Sequence, residues 1–128
     1  GVPLFTPAVQ AHYAFDEALS ELIEESVKKR IQRYRKAAEL LRDGFVKMGL
    51  HFLIPRNHYS NCLTSLILPD GITYGNLHDK LKNKGFIIYA GQGNLNKNIF
   101  RIANMGDIGI NEYERFLITL KTCLSLPT

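Results

Sequence analysis

The sequence predicts an α/β (α+β) domain, a small, largely antiparallel sheet of about four strands covered by helices. Two observations lead there. A long early stretch carries apolar residues at helical spacing, and the later half alternates short apolar runs with helical ones. The resulting order, helix, helix, strand, strand, helix, strand, strand, helix, is not the strict βαβ alternation of a parallel sheet.

Thr6 before Pro7 reads as a helix start, because threonine can accept from free backbone N–H groups and proline loses nothing at the first helical position; a helix over 7–24 follows. In the next segment Val27, Ile31, Tyr34, Ala38, Leu41, Phe45 and Met48 recur at steps of four and three, leaving Lys28, Lys29, Arg30, Arg33 and Lys36 largely outside. This is a long amphipathic helix ending near Gly49. The apolar runs 50–54 and 62–68, closed by Pro55 and by Pro69-Asp70-Gly71, read as strands. Thr73 caps a third helix through Leu77 and Leu81, with Gly85 where a left-handed residue ends it. Strand 86–89, the connection Ala90-Gly91-Gln92-Gly93-Asn94 and strand 99–103 follow. Asn111 with Glu114 makes a capping-box-like start for a last helix that buries Tyr113, Phe116, Leu117, Leu120 and Leu124. No internal repeat, low-complexity tract or linker interrupts the chain.

The 128 residues fit one domain with a real core. A net charge of +4 permits an anionic partner without naming one. Cys62 and Cys123 form neither a disulfide framework nor a thiolate zinc site, which fits a reducing, cytoplasmic setting. No run approaches the ~20 apolar residues that a membrane span requires, and no signal segment is visible. His12, His51, His58 and His78 lack ligand spacing, so no metal site is expected. Asp16, Glu17, Glu21, Glu24 and Glu25 read as a solvated helical face, not a carboxylate pair in a cleft.

Four stretches carry a resemblance: Phe5-Thr6-Pro7-Ala8-Val9, Leu77-His78-Asp79-Lys80-Leu81, Gly85-Phe86-Ile87-Ile88-Tyr89-Ala90-Gly91-Gln92-Gly93 and Phe100-Arg101-Ile102-Ala103-Asn104-Met105-Gly106. From about residue 4 to 124 the chain resembles the C-terminal small domain of 2-aminoethylphosphonate:pyruvate transaminases, class V aminotransferases dependent on pyridoxal 5'-phosphate (PLP). The Thr-Pro-x-Val element alone would fit class V enzymes generally, the alanine:glyoxylate type included. The resemblance implies a fold-type I small domain and a homodimeric enzyme that passes the amino group of 2-aminoethylphosphonate to pyruvate, giving phosphonoacetaldehyde and alanine. It also implies that the Schiff-base lysine and the aspartate facing the pyridine nitrogen lie in a large domain preceding Gly1. The chain is thus expected to be a fragment, residues 1–128 being the small domain, inactive alone and with no catalytic residue of its own.

Within the resemblance, Arg101 becomes the anchor for the substrate carboxylate, and an arginine inside the apolar strand 99–103 must bring its charge to a partner. The alternative is an alternating strand with Arg101 facing water. Thr6 matches the family threonine that reaches the cofactor phosphate of the neighbouring subunit; its plainer role is a helix cap. Gly91, Gln92 and Gly93 form a backbone loop at the mouth of the site or merely connect strands, and they lack the third glycine and strand-to-helix context of a dinucleotide-binding turn. Asn104 and Met105 either line the substrate cavity or serve packing and turn formation. Two other readings differ in class. A nucleic-acid or partner-docking module would use the basic helix around Lys28 to Lys36, although acids flank that run. A regulatory small-molecule domain would need no catalytic centre.

Overall fold

The computed structural model describes residues 5–124, so the start of the resemblance at Leu4 lies outside the described residues. The chain divides into two compact units, one up to Arg33 and one from Tyr34.

The first unit holds helix α1 (Val9–Glu25) and the beginning of α2 (Val27–Lys47). No residue of α1 is buried, and Val27 and Ile31 are exposed too. The first two positions of the apolar stripe therefore depart from the sequence expectation, because α1 offers no buried surface to pack them. Between the helices Ser26 holds a positive φ of 70°. Its Oγ accepts from the Lys29 N–H at 3.3 Å and its carbonyl from the Arg30 N–H at 3.0 Å, so Ser26 starts α2 while its own N–H closes α1 on Leu22. Across this junction Glu25 receives Arg30 Nε at 2.5 Å and Arg33 Nε at 2.6 Å.

The second unit is a sheet with helices on one face. Strands β1 (Leu63–Ile67), β2 (Tyr89–Ala90) and β3 (Ile99–Ala103) pair antiparallel in the order β1-β3-β2. Among the described residues three strands form where about four were expected. The 50–54 run contributes one bridge, Phe52 to Leu66, with backbone bonds from Leu53 to Ser65 and from Ile67 to His51, before Pro55 ends the pairing. Residues 86–88 also stay outside the ladder; Ile88 instead accepts a 2.9 Å bond from the Tyr74 hydroxyl.

Helices α3 (Tyr74–Lys82) and α4 (Ile110–Leu124) join the later half of α2 over the sheet. Ala37, Leu41 and Phe45 of α2, Leu77 and Leu81 of α3, and Tyr113, Phe116 and Leu120 of α4 pack with Leu66, Phe100 and Ile102. Cys123 joins them, whereas Leu117 and Leu124 are only partly buried. Both expected glycine stops form. At Gly85 (φ +86°) the N–H groups of Gly85 and Phe86 return to Lys82 and Leu81, and at Gly49 (φ +73°) those of Gly49 and Leu50 return to Val46 and Phe45. Thr73 caps α3 by accepting from the Asn76 N–H at 3.3 Å. The capping box expected at Asn111 does not form, since α4 already begins at Ile110 and places Asn111 inside the first turn.

The Glu25 carboxyl is held down to about 2 from its ordinary 4.5, first by its hydrogen bond from Arg33 and then by that from Arg30. A depressed acid stabilises the fold above its unfolded pKa, so the junction keeps its full bond strength above pH 4.5 and loses it as the pH falls towards 2. A carbon-detected NMR titration of Glu25 should follow this low midpoint, and Arg33→Gln should move it upward; a midpoint near 4.5 in the unaltered chain would contradict the pairing.

Candidate functional site

The free face of the sheet is built by alternation. On β3, Phe100 and Ile102 turn to the helices with 0% and 6% exposure, so Arg101 between them must turn the other way. Antiparallel register then sets Arg101 between Ser65 of β1 and Tyr89 of β2, since cross-strand partners share a face. Leu63, Ile67 and Tyr89 on this face are exposed, while Ser65 and Arg101 are half-buried.

Arg101 Nε donates to the carbonyl of Ala90 at 2.8 Å. That bond fixes the guanidinium plane by one edge, and no carboxylate among the described residues pairs with it. The two terminal nitrogens remain as a forked donor suited to a carboxylate. Sequence alternation could place Arg101 on a face, but it could not show the Ala90 bond or the neighbours Ser65 and Tyr89, because these depend on strand register.

The Gly91, Gln92 and Gly93 segment directly follows Ala90 and is a tight connection. Gly91 is buried, its N–H donates to Ile99 at 3.2 Å, and a Cβ there would overlap the Leu95 carbonyl and stand 2.6 Å from Ile99 Cγ1. Gln92 and Gly93 are exposed, and a single 3₁₀ turn, Gly93–Leu95, completes the loop. Packing thus ties the loop to Ile99, at the start of the strand that carries Arg101.

Asn104 is fully buried and lines no open cavity. Its Nδ2 donates to the carbonyls of Asn61 at 2.8 Å and Tyr34 at 3.3 Å, its N–H to Cys62 at 3.0 Å, and its carbonyl accepts from the Tyr113 hydroxyl at 3.1 Å. The side chain thus joins α2 and the approach to β1 to the end of the Arg101 strand, and the Asn104 backbone carbonyl adds α4 through Tyr113. Met105 beside it is exposed.

Thr6, in the first unit, is exposed and is not the cap of α1. The N-cap is Ala8, no side chain bonds there, and the first helical acceptor is its carbonyl, taken by the His12 N–H at 3.1 Å. Pro7 lies before the helix, its carbonyl engaged by Val9. The Thr6 hydroxyl is thus left out of helix capping. A PLP enzyme also needs a desolvated amine, and all nine lysines of this chain are exposed. Arg101 by itself offers a donor fork for an anion, and none of the lysines is desolvated as a cofactor-holding amine would be. No group of three or more His, Cys, Asp or Glu that could hold a metal ion occurs among the described residues.

Comparison with known proteins gives one consistent likeness. Over 124 residues, 94% of the chain, it is 36% identical to a 2-aminoethylphosphonate–pyruvate transaminase of Bacillus cytotoxicus. The likeness is to aminotransferases. An uncharacterized aminotransferase of Methanocaldococcus jannaschii is 32% identical over 123 residues, 95% of the chain. The chain spans about a third of the length of these curated relatives, 32% and 31%. No protein-family model matches it. Among solved structures, an alanine–glyoxylate aminotransferase from Nostoc sp. matches the fold with a TM-score of 0.90 at 24% identity, covering 97% of this chain and 33% of that one. A ureidoglycine–glyoxylate aminotransferase from Bacillus subtilis matches with a TM-score of 0.80 at 29% identity, covering 88% and 30%. The small α/β domain expected from the sequence is therefore the fold observed, with one strand fewer.

Two substitutions test this geometry. Asn104→Ala removes two donated bonds from a buried site and should cost about 1–3 kcal/mol in urea denaturation. Gly91→Ala should cost a comparable ~1–3 kcal/mol because backbone must move to admit the methyl group. An unchanged midpoint in either variant would contradict the contacts described.

Proposed function

We propose that this chain is the C-terminal small domain of a PLP-dependent transaminase that exchanges the amino group of 2-aminoethylphosphonate with pyruvate, working as a homodimer in the cytoplasm. The observation that carries the proposal is Arg101, fixed through Nε on Ala90 with its terminal nitrogens unpaired on the sheet face opposite Phe100 and Ile102, in a chain 36% identical to such a transaminase along nearly its whole length.

In this reading the bound cofactor supplies the electron sink. Arg101 orients the substrate carboxylate, and orientation of that kind lowers the barrier by fixing the reacting carbon relative to the cofactor. Ala90 holds the guanidinium in one plane, so little rotational freedom is lost on binding. Thr6 offers its hydroxyl to the cofactor phosphate of the neighbouring subunit, and the 91–93 loop borders the mouth of the site. The lysine that carries the cofactor belongs to the part of the protein outside this chain. The likeness to glyoxylate-dependent enzymes supports a second reading, a class V aminotransferase of the alanine:glyoxylate type. No structural observation favours the nucleic-acid module, since Arg30 and Arg33 of the basic helix are engaged by Glu25.

The experiment is an alanine-formation assay on the full-length protein with PLP, 2-aminoethylphosphonate and pyruvate. Turnover is expected, and this chain alone should give none and retain no PLP through gel filtration. Turnover of alanine with glyoxylate but not of 2-aminoethylphosphonate would favour the second reading, and PLP bound to a lysine of this chain would overturn both. Arg101→Ala in the full-length enzyme should lower kcat/KM for pyruvate about 100-fold or more while PLP stays bound, as the loss of a charge-assisted pair requires. Unchanged kinetics would reject the assignment.

A further inference from the structure

A recess of about 310 Å³ opens between α2 and the 52–61 segment, and its lining does not include Arg101. Three arginines, Arg35, Arg42 and Arg56, line it, with Tyr59 and Asn61 beside them. Glu39 and Asp43 share the lining, yet no ion pair joins either to any of the three arginines. The cations exceed the carboxylates by one charge.

Arg42 is the fixed member. It is half-buried, a terminal nitrogen donates to the Ser60 carbonyl, and its guanidinium carbon lies 4.6 Å from the Tyr59 ring centre. Tyr59 in turn packs at a tilt against Phe52, with ring centres 5.1 Å apart. The Arg42 Nε is buried and has no acceptor. Burial pulls the pKa of this guanidinium down, and the like charge of Arg56 pulls the same way against Tyr59 and Glu39. Because that Nε is closed to solvent, what Arg42 offers an incoming acceptor is its other terminal nitrogen, which no hydrogen bond or ion pair among the described residues occupies, so an acceptor gains a bond there without displacing a protein partner.

We propose that this recess binds a compact phosphate-type oxyanion, with Arg42 as the fixed donor and the exposed Arg35 and Arg56 as outer donors. The shape of the donor set selects the anion. A planar carboxylate is satisfied by a single guanidinium fork, whereas a tetrahedral oxyanion presents acceptors in several directions at once. Glu39 and Asp43 keep the site small, because an extended polyanion would meet their charge. This site does not rest on the transaminase reading.

The test is an amide NMR titration of the 128-residue chain with inorganic phosphate, and with acetate at matched ionic strength. Phosphate should shift the amides of α2 around Arg42 and of Tyr59 to Asn61 saturably in the millimolar range, and acetate should not. The double variant Arg35→Gln, Arg56→Gln changes only exposed side chains, so its spectrum elsewhere should match the parent while phosphate binds about tenfold more weakly. Absence of saturable shifts, equal shifts with acetate, or unchanged affinity in the double variant would each overturn the proposal.

Discussion

A charged side chain in the middle of a sheet must either find a partner or face away from the apolar core, and β3 resolves that demand by alternation. Phe100 and Ile102 are drawn to the helices by burial, which fixes the facing of Arg101 as firmly as any bond it makes. A slip of one residue would bring the guanidinium into a core of Leu41, Leu66 and Phe116, so the hydrophobic pattern itself holds the register. The Ala90 carbonyl then limits rotation of the guanidinium.

The surroundings of β3 are arranged to keep that strand still. Asn104 at its end is tied to three segments distant in sequence, and Gly91 allows the neighbouring loop to lie against Ile99. Neither residue need touch a ligand to matter for one. The same economy explains why two neighbouring residues of one motif have separate roles, Asn104 being buried as a fastener and Met105 exposed at the turn.

Much of the second unit was legible from sequence, because its signals are local. The later stripe of α2, the glycine stops at Gly49 and Gly85 and the Thr73 cap each depend on residues a few positions apart. Signals that depended on competition were misread. Thr6-Pro7 and Asn111 both suit a helix start, yet α1 begins at Val9 and α4 at Ile110, since backbone bonds to Pro7 and Gly109 set those turns first. The run 50–54 has strand composition but only one bridging residue, and the exposure of Val27 and Ile31 runs against a periodicity that marked them for the buried stripe. Of the candidate site, Arg101 was visible through the motif around it, whereas Ser65, Tyr89 and the Ala90 bond needed the three-dimensional pairing.

In the proposed function Arg101 is a half-engaged fork, with one edge on the protein and the other turned to a substrate carboxylate. A crystal structure of the full-length protein with pyruvate bound addresses this most directly. Arg101 Nε is expected to remain on the Ala90 carbonyl while both terminal nitrogens lie at hydrogen-bonding distance from the pyruvate carboxylate. Pyruvate held by other residues, with Arg101 facing solvent, would contradict it.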